Sequence, residues 1–171
     1  QSILQIDGAT IRDVGVRVTT ANDIGSTRGW YIDLISPANG AEGEMQVTDP
    51  VLRNGRIIFT TLIPSPDPCS YGGTSWLMEM DAITGRRLDD SPFDFNGDGL
   101  FNSDDFVTLP DGTRVPASGL RPEVGITPRP AVLSGDGSEF KFLPGTTGQM
   151  QTIRENPGAG DLGRQSWRQV R

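Results

Sequence analysis

Residues 49–62 read DPVLRNGRIIFTTL: a short apolar run, the pair Asn54-Gly55, then a second run rich in Ile, Phe and Thr. Asn-Gly readily takes the positive φ angles of a two-residue type I′ turn. β-Branched and aromatic side chains fit a pleated surface, so the stretch predicts a hairpin. The same punctuation recurs outward in both directions. Short runs at 3–6, 14–19, 29–34, 44–48, 56–62, 75–81, 131–133, 139–142 and 149–153 each end in Gly, Asn, Asp or Pro, and a last run covers 164–170. That is the pattern of an antiparallel all-β protein. Asp111-Gly112 and Asp136-Gly137 mark two further tight turns.

Alternation indicates which faces are covered. In SWLMEMDA (75–82) Trp76, Met78 and Met80 fall on one face, and Leu77, Glu79 and Asp81 on the other, which predicts a half-buried strand with the Met and Trp side chains as core. The longer segment SWLMEMDAITGRRL (75–88) reads as a strand, a Thr84-Gly85 turn and a return strand, the form of the outer hairpin of a propeller blade in quinoprotein-like repeats. No second clean copy follows at a period of about 40 to 50 residues. The stretch 91–125 breaks the strand rhythm and is expected to be an insertion between two strand regions.

Composition narrows the function classes. Gly (22) and Pro (13) are abundant among the 171 residues, which implies many turns and few long helices. The formal charge is −7, with a single Lys and scattered Arg, so no clustered positive surface is available for nucleic acid. No run of about 18 apolar residues occurs, so no membrane-spanning helix is expected. The chain starts at Gln1 without a Met or signal peptide, as a processed product or an excised piece of something longer would. Cys69 is the only cysteine and there is no His. Triad chemistry and zinc sites are therefore unsupported, and Cys69 is free or paired outside this segment. Carboxylates such as Asp33, Glu42, Asp49, Asp67 and Glu79 are plentiful, yet no pair is set by sequence as acid and base. No catalytic residue is assigned.

The chemistry concentrates in DFNGDGLFNSDDF, residues 94–106. Counted from Asp94, the residues Asp94, Asn96 and Asp98 occupy positions 1, 3 and 5, Gly99 position 6, Leu100 position 7, Asn102 position 9 and Asp105 position 12, the register of an EF-hand-type calcium loop. Calcium takes six to eight oxygens, so alternate side chains converge on it while the Leu100 carbonyl turns inward and Gly99 permits the bend. Phe101 is expected to anchor the loop to the core. Asp at position 12 shortens the closing arm relative to Glu, and Asn102 binds directly or through water. With two neutral side-chain donors, affinity is expected on the order of micromolar, with Mg²⁺ a poor competitor. DDSPF before the loop cannot be a helix, and Ser103 could cap only a short one before Pro110. The loop therefore stands alone, either stapling the insertion or switching a partner's binding.

Taken together, GWYIDL (29–34), VTDPVLRNGRIIFTTLIPSPDPCSYGGTSWLMEMDAITGRRL (47–88), DFNGDGLFNSDDF and the terminal GRQSWRQVR resemble the C-terminal domain of the PilY-type tip adhesin and assembly factor of bacterial type IV pili. The resemblance implies a modified β-propeller, with 1–171 forming its C-terminal part or last few blades and 91–125 a calcium-loop insertion within it. It implies a non-enzymatic, extracellular protein of the pilus tip, exported through periplasm and outer membrane, that favours pilus extension over retraction and mediates adhesion. Expected partners are minor pilins, the remainder of the same polypeptide and an unnamed host or abiotic surface. The implied ligands are Asp94, Asn96, Asp98, the Leu100 carbonyl and position 9. There the family more often carries Asp where this chain has Asn102, which gives Asp105 more weight. Cys69 matches a family cysteine whose partner would lie outside this chain. The competing readings are a calcium-stapled structural or carbohydrate-binding β module and a quinoprotein-like enzyme fragment.

Overall fold

The computed structural model describes residues 2–7, 10–21, 24–25, 27–67, 69–70, 72–135 and 137–158, with side chains described from Val14 onward. In chain order the strands are β1 (Ser2–Asp7), β2 (Thr10–Arg17), β3 (Val51–Arg53), β4 (Arg56–Pro64), β5 (Gly73–Asp81), β6 (Val107–Thr108), β7 (Arg114–Val115), β8 (Gly119–Leu120), β9 (Ala131–Ser134), β10 (Glu139–Pro144) and β11 (Met150–Glu155). A single turn of 3₁₀ helix, Ser103–Asp105, lies between β5 and β6. Among the described residues no helix is long and apolar enough to cross a membrane. The strands form a six-stranded sheet in the order β1-β2-β8-β5-β4-β3, a three-stranded sheet β11-β10-β9 and the pair β6-β7. All pairings are antiparallel and none of the sheets closes on itself.

The hairpin read from 49–62 forms in the expected register. Val51 pairs with Ile58 and Arg53 with Arg56, and the turn between them has φ of 49° at Asn54 and 76° at Gly55, the left-handed pair a type I′ turn demands. The turns at 109–113 and 135–138 also close as hairpins, although Asp136 itself lies outside the described residues. The run expected at 164–170 lies outside them too.

Three expected strands are absent. Residues 29–34 are not in a ladder; Trp30 and Ile32 pack on Phe59, Met78 and Met80, and Trp30 Nε1 donates to the Ala82 carbonyl. The apolar alternation is genuine, but it records one covered face and not a hydrogen-bonded neighbour. At 44–48 a lone bridge joins Met45 to Leu62. The return strand after Thr84-Gly85 is likewise absent. Asp81 accepts hydrogen bonds from the Ile83 and Thr84 amides and from Thr84 Oγ1, closing a turn whose continuation does not pair as a strand.

β5 is buried on both faces and not on one. Leu77 joins the main core with Val14, Val16, Ile58 and Leu120, Met78 and Met80 belong to the second cluster on the opposite face, and Glu79 is 1% exposed. The cover on the unexpected side comes from β10, β11 and the stretch 91–125. That stretch supplies Phe93, Phe95, Val107, Ala117 and Leu120 to the main core, and its β8 sits in the middle of the large sheet, pairing with both β2 and β5.

Glu79 is tolerated in this interior because it is paired from two sides. Arg56 Nη1 lies 2.6 Å from one of its oxygens and Lys141 Nζ 2.8 Å from the other, and Lys141 also pairs with Glu155. Burial pushes the Lys141 ammonium below its ordinary value, against the pull of the Glu79 and Glu139 charges. Arg56 and Glu79 belong to the large sheet, Lys141 and Glu155 to the three-stranded one, so the ion cluster joins the two.

Candidate metal centre

The acidic loop is entered through two aromatic anchors. Phe93 and Phe95 are fully buried, with ring centroids 5.7 Å apart. Phe101, expected as the anchor, is only partly buried, so the loop is held at its entrance and not at its eighth position. Between Phe95 and Asp105 the chain curls around its own carboxylates. Asp94, 5% exposed, accepts the Gly97 amide at 2.7 Å on Oδ1 and the Gly99 amide at 3.0 Å on Oδ2. Asp98 Oδ1 accepts the Leu100 amide, and Asn96 Oδ1 the Asp98 amide. Gly99 takes the left-handed φ of 80° that the bend at position 6 requires.

Asp105 closes the loop. It is wholly buried and accepts hydrogen bonds from the Phe95, Asn96 and Asn102 amides. Burial pushes its carboxyl above the ordinary value, the three amides pull the other way, and the charge of Asp94 adds to the rise. The cap of the 3₁₀ turn is Asn102 and not Ser103: its side-chain oxygen accepts the Asp104 amide at 2.7 Å in a capping box with Asp105. Position 9 is thus engaged in ending the loop. The Leu100 carbonyl accepts no hydrogen bond from the described residues.

These residues fit a hard divalent cation in donor chemistry. Three carboxylates, the Asn96 amide oxygen and an unengaged carbonyl belong to one short loop, and the pair Asp94 and Asp105 is buried, where uncompensated negative charge is costly. The carboxylates are at present turned toward loop amides, and among the described residues no three acidic or thiol side chains converge as a metal-binding group. Two guanidinium groups adjoin the loop: Arg154 on β11, whose Nη1 lies 3.6 Å from Asp94 Oδ2, and Arg114 on β7, whose Nη2 donates to the Ser103 carbonyl at 2.6 Å. Sequence reading did not find Arg154, because nothing local marks a residue that is brought to the loop by strand pairing. Cys69 is exposed and unpaired.

No family model matches the chain. A type IV pilus biogenesis factor PilY1 homologue of Xylella fastidiosa is 30% identical over 171 residues, covering 96% of this chain and 13% of the relative. PilY1 of Pseudomonas aeruginosa strain PAO1 is 29% identical over 157 residues, again 13% of its length. The chain therefore spans about an eighth of these relatives. The crystal structure of the Pseudomonas aeruginosa PilY1 C-terminal domain superposes with a TM-score of 0.64 at 21% identity, over 92% of this chain and 30% of that one. Through sequence along nearly its whole length, and in agreement with its fold, the chain is homologous to the C-terminal region of the type IV pilus biogenesis factor PilY1.

Proposed function

We propose that this chain is the calcium-binding C-terminal portion of a type IV pilus biogenesis factor, acting at the pilus tip without catalysis, with loop 94–105 as the ion site. The role in pilus biogenesis is supported by the names of the relatives. The observation that carries the ion is the buried pair Asp94 and Asp105, held by backbone amides at the two ends of one loop. When bound, calcium would add positive charge to a pair that the Arg154 guanidinium meets only at Asp94. Asp94, Asn96, Asp98, the Leu100 carbonyl and Asp105 would hold it, with Asn102 contributing through its cap. The chain's own part is to keep these oxygens in one tethered loop, where they would turn from the loop amides to the ion: Phe93 and Phe95 anchor the entrance and the Asn102–Asp105 capping box fixes the exit. A loop so tethered to the core passes a change in occupancy to its surroundings. In this reading that change biases extension over retraction, and the sheets belong to a larger propeller completed by the rest of the polypeptide.

Isothermal calorimetry tests the site. The protein should bind a single calcium ion on the order of micromolar, and Asp98→Ala should abolish the heat while leaving the far-ultraviolet dichroism of the β structure in place. An unaltered isotherm in that variant would refute the assignment.

A further inference from the structure

Arg154 meets the acidic loop in a way that ordinary surface pairing does not require. Its Nε donates to Ser138 Oγ at 3.0 Å, and Ser138 is itself buried in the turn between β9 and β10. The guanidinium is thereby held from behind while its Nη1 faces Asp94 Oδ2 at 3.6 Å. The front of the group fills space left open by the missing side chain at position 99: a Cβ there would stand 2.5 Å from Nη1 and 2.8 Å from Nη2, and the guanidinium would have to shift. One glycine thus serves two ends, the left-handed bend of the loop and the seat of the guanidinium.

We infer that Arg154 is a tethered competitor of the divalent cation, a fixed positive charge that neutralises Asp94 when the loop holds no ion and weakens ion binding when it does. This rests on the calcium reading of the loop. A doubly charged ion ligated by Asp94 is repelled by the guanidinium beside that carboxylate, and the ion withdraws from Arg154 the charge it was paired with. Because coupling is reciprocal, ion binding loosens Arg154 from Asp94 as much as Arg154 loosens the ion, and Arg154 carries that change to Ser138 and the β9–β10 turn. Arg154 is a tuning residue and not a ligand.

The test is calcium calorimetry on the whole chain at low and at high salt, with Arg154→Gln and Arg154→Lys. Removing the charge should tighten binding by about threefold to tenfold at low salt, and the gap should narrow as salt screens it. Lys, which restores a positive charge from the same position, should stay within about twofold of the wild type on the same electrostatic grounds. Arg154→Met serves as a second neutral variant should the Gln form not fold. Equal or weaker binding in the neutral variants, in a protein whose wild type binds calcium, overturns the inference alone. Absence of binding by the wild type overturns the calcium reading and the inference with it. A gain that is independent of salt, or that Lys shares in full, assigns Arg154 a packing role and also overturns the inference.

Discussion

Glu44 shows how one residue outside any strand can be fixed by its partners. Arg17 grips both of its oxygens at 2.7 and 2.8 Å while stacking 4.3 Å over the Trp76 ring, and Thr61 Oγ1 donates at 2.6 Å. Burial pushes the Glu44 carboxyl up, but the bonds from Arg17 and Thr61 and the Arg17 charge outweigh it, so its value lies below the ordinary 4.5. A carboxyl more acidic in the folded than in the unfolded chain contributes stability that is complete above pH 4.5 and is lost as pH falls through the lowered folded value. Urea unfolding of the wild type and Glu44→Gln should therefore show a stability gap that is constant at neutral pH and closes in acid. A gap that widens below pH 4.5 would contradict the pairing.

At the scale of elements, the stretch 91–125 is woven into the body of the protein. Phe93 bridges to Glu155 of β11, and Asn156 donates its amide to the Pro92 carbonyl, while β8 contributes a central rung between β2 and β5. Phe93→Ala should then lower the global stability by about 3–5 kcal/mol in a single urea transition, as deletion of a buried aromatic does. A separate early transition confined to the loop would mark the stretch as an appendage instead. The hairpins were legible in advance because Asn54-Gly55 fixes its own register locally. β8 was not, since Gly119 and Leu120 form a strand only through partners at Val16 and Leu77, contributed from distant parts of the chain.

The whole molecule is held across its two larger sheets by charge as well as by apolar packing. Arg56, Glu79, Lys141 and Glu155 form one buried cluster, Arg53 reaches Glu139 at 2.6 Å beside it, and among the described residues none donates a hydrogen bond to Glu155 Oε1. Removing one member of such a cluster leaves the opposite charge buried without compensation. Lys141→Met should cost about 3–5 kcal/mol, and the double variant Lys141→Met with Glu155→Leu should recover much of it, because a well-packed apolar pair can replace a buried ion pair. Additive losses in thermal unfolding would show that the charges act independently. Glu79 stands on an alternating strand at a position that sequence assigns to solvent; its burial depends on cations from β4 and β10.

The all-strand character, the tight turns and the oxygen-rich character of loop 94–106 were all legible in the sequence, because turn geometry and local composition are properties written in consecutive residues. The resemblance to pilus biogenesis factors was equally legible from runs of consecutive residues. Tertiary structure alone decided that 29–34 packs without pairing, that β5 is covered on both faces, that Glu79 is neutralised inside the core and that Arg154 faces Asp94. Each of these depends on what a distant segment places opposite a residue, and no short window of sequence contains that information.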